Sequence, residues 1–177
     1  MVAIIGIFLG VAVLSTDLVN FDRKIEQEVQ RLNTRIGFTS DEALLQGRDF
    51  GIVFYEEGYE FRAFQDGQVW SPADGPGMES MRLTPDMAMR LTIDGRDVIL
   101  EPYCDMFPCG AQLATMDDDE RNEASPPPQV VLFSSGEVTP FALAIYRESE
   151  LLETGILRAY QLSVDFNGDE ELGWYEF

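Results

Sequence analysis

Leu14-Ser-Thr-Asp-Leu18-Val-Asn-Phe21-Asp-Arg-Lys-Ile25-Glu-Gln-Glu-Val29-Gln-Arg-Leu32-Asn-Thr-Arg-Ile36 carries a large apolar residue at steps of 4, 3, 4, 4, 3 and 4. Steps of three and four bring side chains to one face of an α-helix, so the stretch reads as an amphipathic helix with a single apolar stripe. Between the apolar positions, Lys24 and Glu28, and Glu28 and Arg31, are spaced to pair on the exposed side. Upstream, Val2 to Leu14 is an uninterrupted apolar run of 13 residues. Downstream the helical pattern stops at Gly47, a residue suited to a left-handed C-cap. One helix from about residue 2 to Gln46 accounts for all of this.

The apolar run admits three readings. At 1.5 Å per residue it makes roughly 20 Å of helix, against a hydrocarbon core of about 30 Å, so alone it is too short to span. A signal peptide with Gly10-Val11-Ala12 as its small-x-small site is a second reading, but no Lys or Arg precedes the run. An ordinary core helix with an apolar start is the third. A helix of 45 residues is long for a globular core, which favours a membrane-rooted stalk. The expected organisation is residues 1–16 as a membrane-anchoring part of the helix, 17–47 as an amphipathic stalk, and 48–177 as the head.

Charge is distributed as unevenly as hydropathy. Residues 1–16 carry none, residues 17–46 hold six acids and four bases, and the remaining 131 residues hold 26 acids and eight arginines. The chain of 177 residues has a net charge of −20 and a single lysine, Lys24, which argues against a nucleic-acid partner, because phosphate neutralisation needs a basic patch. An apolar share of 45% with twelve Phe excludes a disordered acidic tail. With no histidine, the commonest general base and zinc ligand is missing.

Beyond Gly47 the period becomes alternating. Arg48 to Tyr55 and Tyr59 to Phe64 flank Glu56-Glu57-Gly58 as a hairpin, and Asp66-Gly67 turns the chain into Gln68-Val69-Trp70. Met89 to Ile93 and Val98 to Leu100 flank Asp94-Gly95, a favoured two-residue hairpin signal. Val130 to Phe133 and Phe141 to Tyr146 are expected to pair across Ser135-Gly136, and Ile156 to Phe166 turns at Asn167-Gly168 into Gly173 to Phe177. Nine or ten short strands at regular spacing predict an antiparallel sandwich or open barrel, giving an α+β chain overall. Ser71 to Met78 is a Pro- and Gly-rich loop, and residues 101–128 form a longer acidic one.

Site chemistry is sparse. Asp165-Phe-Asn167-Gly-Asp169-Glu-Glu171 to Glu176 fits much of an EF-hand calcium loop, but position 6 is Glu170 where Gly is required, and Asn167-Gly168 is a hairpin signal. Asp117-Asp118-Asp119-Glu120 reads as a solvated acid run rather than a cation site. Cys104 and Cys109 are too few for zinc; in an oxidising compartment they are expected to form a small-loop disulfide, with two free thiols as the alternative. Ser134-Ser135-Gly136 lacks the nucleophile elbow and a histidine to activate it. No catalytic residue, metal or cofactor is expected.

Three segments carry a resemblance to a known family. Asp41-Glu-Ala-Leu-Leu-Gln-Gly47-Arg-Asp-Phe-Gly-Ile-Val-Phe54, followed by Gly58-Tyr59-x-Phe61, is the first. Trp70 with Arg82-Leu83 and Leu91-x-Ile93-Asp94-Gly95 is the second. Pro128-Gln-Val-Val-Leu-Phe-Ser-Ser-Gly136-Glu137, running on to Thr139-Pro140-Phe141, is the third and most specific. Together they resemble the minor pseudopilin H family of type II secretion, whose plan is a membrane-rooted helix running into a β-rich, pilin-like head. The tail from Ala159 fits more loosely. The family's basic leader, its Gly–Phe cleavage point and the glutamate that follows do not precede Val2, so the resemblance implies about ten mature residues and a leader upstream, and no processing site is carried over.

The resemblance implies a non-enzymatic, single-pass inner-membrane protein with its head in the periplasm of a Gram-negative bacterium. It implies other pseudopilins as partners, secreted substrate as a further candidate partner, and a role in exporting folded proteins. On this reading Leu14, Leu18, Phe21, Ile25, Val29, Leu32 and Ile36 form an assembly stripe packing into the helical bundle of a filament core. The alternatives are a minor pilin of a type IV pilus, against which the acidic head speaks where DNA uptake is concerned, and a monomeric periplasmic β-sandwich that binds a ligand or calcium.

Overall fold

The computed structural model describes residues 2–65, 69–102 and 127–177, with side chains from residue 20 onward in the first segment and from residue 70 in the second. The helix α1 spans Val2–Gln46, about 68 Å at 1.5 Å per residue. It ends where the periodicity predicts. Gly47 takes φ 61°, and the N–H of Arg48 donates to the carbonyl of Ala43 at 3.2 Å, the long bond of a Schellman cap.

Two antiparallel sheets follow. In the first, β1 (Phe50–Tyr55) lies between β2 (Gly58–Gln65) and β7 (Val130–Leu132), while β3 (Val69–Pro72) and β4 (Met81–Arg82) both pair with β2. The second has the order β10-β9-β8-β5-β6, built from β5 (Met87–Ile93), β6 (Arg96–Val98), β8 (Phe141–Arg147), β9 (Arg158–Val164) and β10 (Glu170–Glu176). Asp94 and Gly95 take φ 52° and 72°, the paired left-handed conformations that a two-residue turn between twisted strands requires.

The expected pairing of residues 130–133 with 141–146 is incorrect. After Leu132 the chain crosses from one sheet to the other, so β7 pairs with β1 and β8 with β5 and β9. A Leu132–Val138 bridge is the local contact that remains. A short helix, α2 (Glu148–Thr154), connects β8 to β9. Its N-cap, Arg147, provides no side-chain cap. Asp86, just before β5, supplies one instead: its carbonyl accepts the N–H of Glu148 at 3.0 Å and its Oδ1 that of Ser149 at 2.9 Å.

The core lies between the sheets and against α1. Phe50, Ile52 and Phe54 of β1, Tyr59 and Phe61 of β2, Leu91 of β5, Leu143 and Ile145 of β8 and Leu162 of β9 belong to one buried cluster. The other face of β1 is covered too. Gly51 sits so close to Pro128 and Trp70 that a Cβ there would lie 2.5 Å from the proline ring.

Candidate functional site

In a chain of this shape the chemistry of interest is where the long helix meets the head. Ile25, Val29, Leu32 and Ile36 are 1%, 0%, 0% and 2% exposed, and Phe21 packs partly buried against the same cluster. Thr39 and Ala43 continue the stripe, and α1 lies against β9, β8, β1 and β7. This corrects the expectation for the stripe. A side chain wholly covered by its own head has no surface left for a neighbour's helix, so Ile25 to Ile36 are core residues. The side chains of Leu14 and Leu18 lie outside those described.

Polar bonds hold the lower part of the seam. Arg158 of β9 pairs with Asp22 at 3.0 Å and stacks over the indole of Trp174 at 4.2 Å. Trp174 donates its indole N–H to Glu26 Oε1 at 2.8 Å, and Asn33 donates to Glu170. Arg147 stacks over the ring of Phe21 at 4.3 Å while donating from Nε to Asp86 Oδ2 at 2.9 Å. Burial pulls the Asp86 carboxyl upward, but the bonds from Arg147 and Ser149 outweigh it and hold the group below the ordinary aspartate value. Higher on the helix Arg35 donates to the carbonyl of Glu79 at 3.1 Å and lies over Tyr59, whose hydroxyl is pushed up by burial.

The motif residues converge on the seam between β1 and β7. Gln129 bonds the backbone of Phe54, and the backbone N–H of Thr139 donates to the carbonyl of Val131 at 2.9 Å while its Oγ1 accepts the Val131 N–H at 3.1 Å. Asp49 Oδ1 accepts the N–H of Ser134 at 2.7 Å, tying the helix end to the β7–β8 turn. Gln129, Thr139 and Asp49 were legible as motif positions, but their role is to join strands rather than to bind a ligand.

The other candidates fall as follows. Asp165 Oδ1 accepts the N–H groups of Asn167 and Asp169, both at 2.9 Å, and Gly168 takes φ 84°, so the segment resembling a calcium loop is the β9–β10 hairpin turn. Among the described residues no group of three His, Cys, Asp or Glu is placed to hold a metal ion. A cleft of about 870 Å³ beside β5 is lined by Arg82, Asp86, Arg90, Asp97 and Tyr146, among others. Its charges answer one another: Arg82 meets Glu57 at 2.8 Å and Arg90 meets Asp97 at 4.0 Å. Cys104, Cys109 and Asp117 to Glu120, with most of the acidic loop at 101–128, lie outside the described residues. Among the described residues no helix is long and apolar enough to cross a membrane.

No family model matches the chain. It is 27% identical over 143 residues to the type II secretion system protein H of Pseudomonas aeruginosa, covering 80% of this chain and 74% of that protein. To the type II secretion system protein H of Aeromonas hydrophila it is 22% identical over 150 residues, covering 83% of this chain and 75% of that one. The structure of the minor pseudopilin EpsH of the Vibrio cholerae type 2 secretion system superposes with a TM-score of 0.60 at 19% identity, over 85% of this chain and 96% of that one. An N-terminal helix followed by antiparallel sheets, as in that structure, is a pilin-like fold. Within that class the chain is similar, in sequence and in structure, to minor pseudopilin H of type II secretion, a structural protein rather than an enzyme.

Proposed function

We propose that this subunit assembles with other pseudopilins in the periplasm to build the pseudopilus that exports folded proteins across the outer membrane. The N-terminal part of α1 anchors it in the inner membrane in a single pass, with the head on the periplasmic side. Leu14 and Leu18, below the head, are the part of the stripe that packs against neighbouring helices. The observation that carries this reading is the division of α1. Its head-facing side chains run from Phe21 to Ala43, and the helix continues downward into the apolar run Val2 to Leu14. The net charge of −20 argues against nucleic acid as a partner.

The test compares full-length wild type with Leu18→Asp for secretion and for co-purification with the other pseudopilins of the same system. Loss of both, with an unchanged head melting temperature, is the expected result. Normal secretion by the variant overturns the assembly role of the lower helix.

A further inference from the structure

Between Asp22 and Thr34 the outward side of α1 carries bases and amides, while Arg35 turns to the head and Asp41, farther up, is exposed. Asp22 and Glu26 face the head, where Arg158 and the indole of Trp174 hold them. Arg23 and Lys24 are exposed on the outward side, followed by Gln27, Gln30, Arg31 and Thr34, all exposed. Arg31 reaches Glu28 at 3.4 Å and still leaves half of its side chain in solvent. Arg23, Lys24 and Arg31, with the amides between them, thus form a cationic strip on a molecule whose net charge is −20. From Arg23 to Thr34 the strip extends about 17 Å along the axis.

We infer that this strip is the docking surface for an acidic patch on the head of a neighbouring, non-identical pseudopilus subunit. The inference rests on the assembly role proposed above. Three arguments select this occupant. The sign of the strip calls for an acidic partner. Its shape, three helical turns running along the axis, matches a protein lying beside the helix; a bilayer surface crossing an anchored helix meets about one turn. A second copy of the chain opposes −20 with −20, whereas a different subunit needs only a local acidic patch. Exposed ion pairs each contribute little affinity, so the strip sets the orientation of docking more than its strength.

The experiment uses the full chain in its own cells, with a photo-reactive amino acid placed at Gln27 or Gln30 and mass spectrometry of the joined peptides. The expected product links these positions to an acid-rich surface of another pseudopilin's head. R23E/K24E lowers the yield at least fivefold while the head melting temperature is unchanged. Joining to lipid, to a second copy or to a surface without acids overturns the inference. A variant that keeps both full yield and secretion overturns the strip as an interface and leaves the pseudopilus role standing. A wild-type chain that never joins another pseudopilin overturns both.

Discussion

Gln129 holds the backbone of Phe54 at both ends: its Oε1 accepts the Phe54 N–H at 2.8 Å, and its Nε2 donates to the Phe54 carbonyl at 3.2 Å. β7 pairs with β1 only as far as Ile52, and beyond it the amide of Gln129 does the work of a strand residue. Further along, Glu101 takes over, accepting the N–H of Glu56 at 3.0 Å. An alanine at position 129 leaves both groups of Phe54 unmet, at a cost of about 1–3 kcal/mol. Urea denaturation of Gln129→Ala reads this as a lower midpoint; a midpoint equal to wild type contradicts the role.

Val29→Asp is expected to unfold the head. The side chain is fully covered, and an unpaired carboxylate there costs about 3–5 kcal/mol, a large part of a domain's stability. Circular dichroism of Val29→Asp beside Leu18→Asp separates the two halves of the stripe. The former loses its transition and the latter keeps it.

That contrast marks a limit of sequence. Periodicity shows that Leu14 to Ile36 has an apolar face, but not what covers it, because the covering residues lie on β1, β8 and β9, far along the chain. Local turn chemistry was legible: Gly47 ends α1, and Asp94-Gly95 and Asn167-Gly168 turn hairpins. The crossing between β7 and β8 was not, since a strand's own alternation does not name its partner. α2 has no local capping signal, because its cap, Asp86, stands more than sixty residues upstream.

Asp86 carries a further prediction, dependent on pH. Its carboxylate receives Arg147 and Ser149, and its own φ of 72° is a conformation that Asn shares with little strain. Because the folded group titrates below the unfolded one, its contribution is complete above about pH 4 and is lost as pH falls through the folded value. With the side chain 32% exposed, the effect is about 1 kcal/mol. Wild type should exceed Asp86→Asn in stability at pH 7, with the gap closing toward pH 3. A gap independent of pH contradicts the assignment.

Gly51→Ala tests the close approach of β1 to Pro128 and Trp70. The new methyl falls 2.5 Å from the proline ring, so the loop must move. Overpacking of this kind costs about 1–3 kcal/mol. An unchanged melting temperature would show that this face of β1 yields freely.

A Cys104–Cys109 bridge, expected from sequence alone, is tested on protein exported to the periplasm, whose mass should be two hydrogens below that of the dithiol. Closing so short a loop contributes about 2 kcal/mol before strain. Complete alkylation without reductant rejects the bridge.

Val29, Leu32 and Ile36 belong both to α1 and to the centre of the head, so along the described seam rod and cap share one core. A push or pull on the lower end of α1 loads the buried stripe in shear, across many side chains at once, with the Asp22–Arg158 pair adding a polar clamp at the mouth of the seam. Peeling, which breaks one contact at a time, needs a sideways force that a neighbour lying alongside would resist. An axial load on α1 is therefore shared by the whole buried stripe rather than by any single contact.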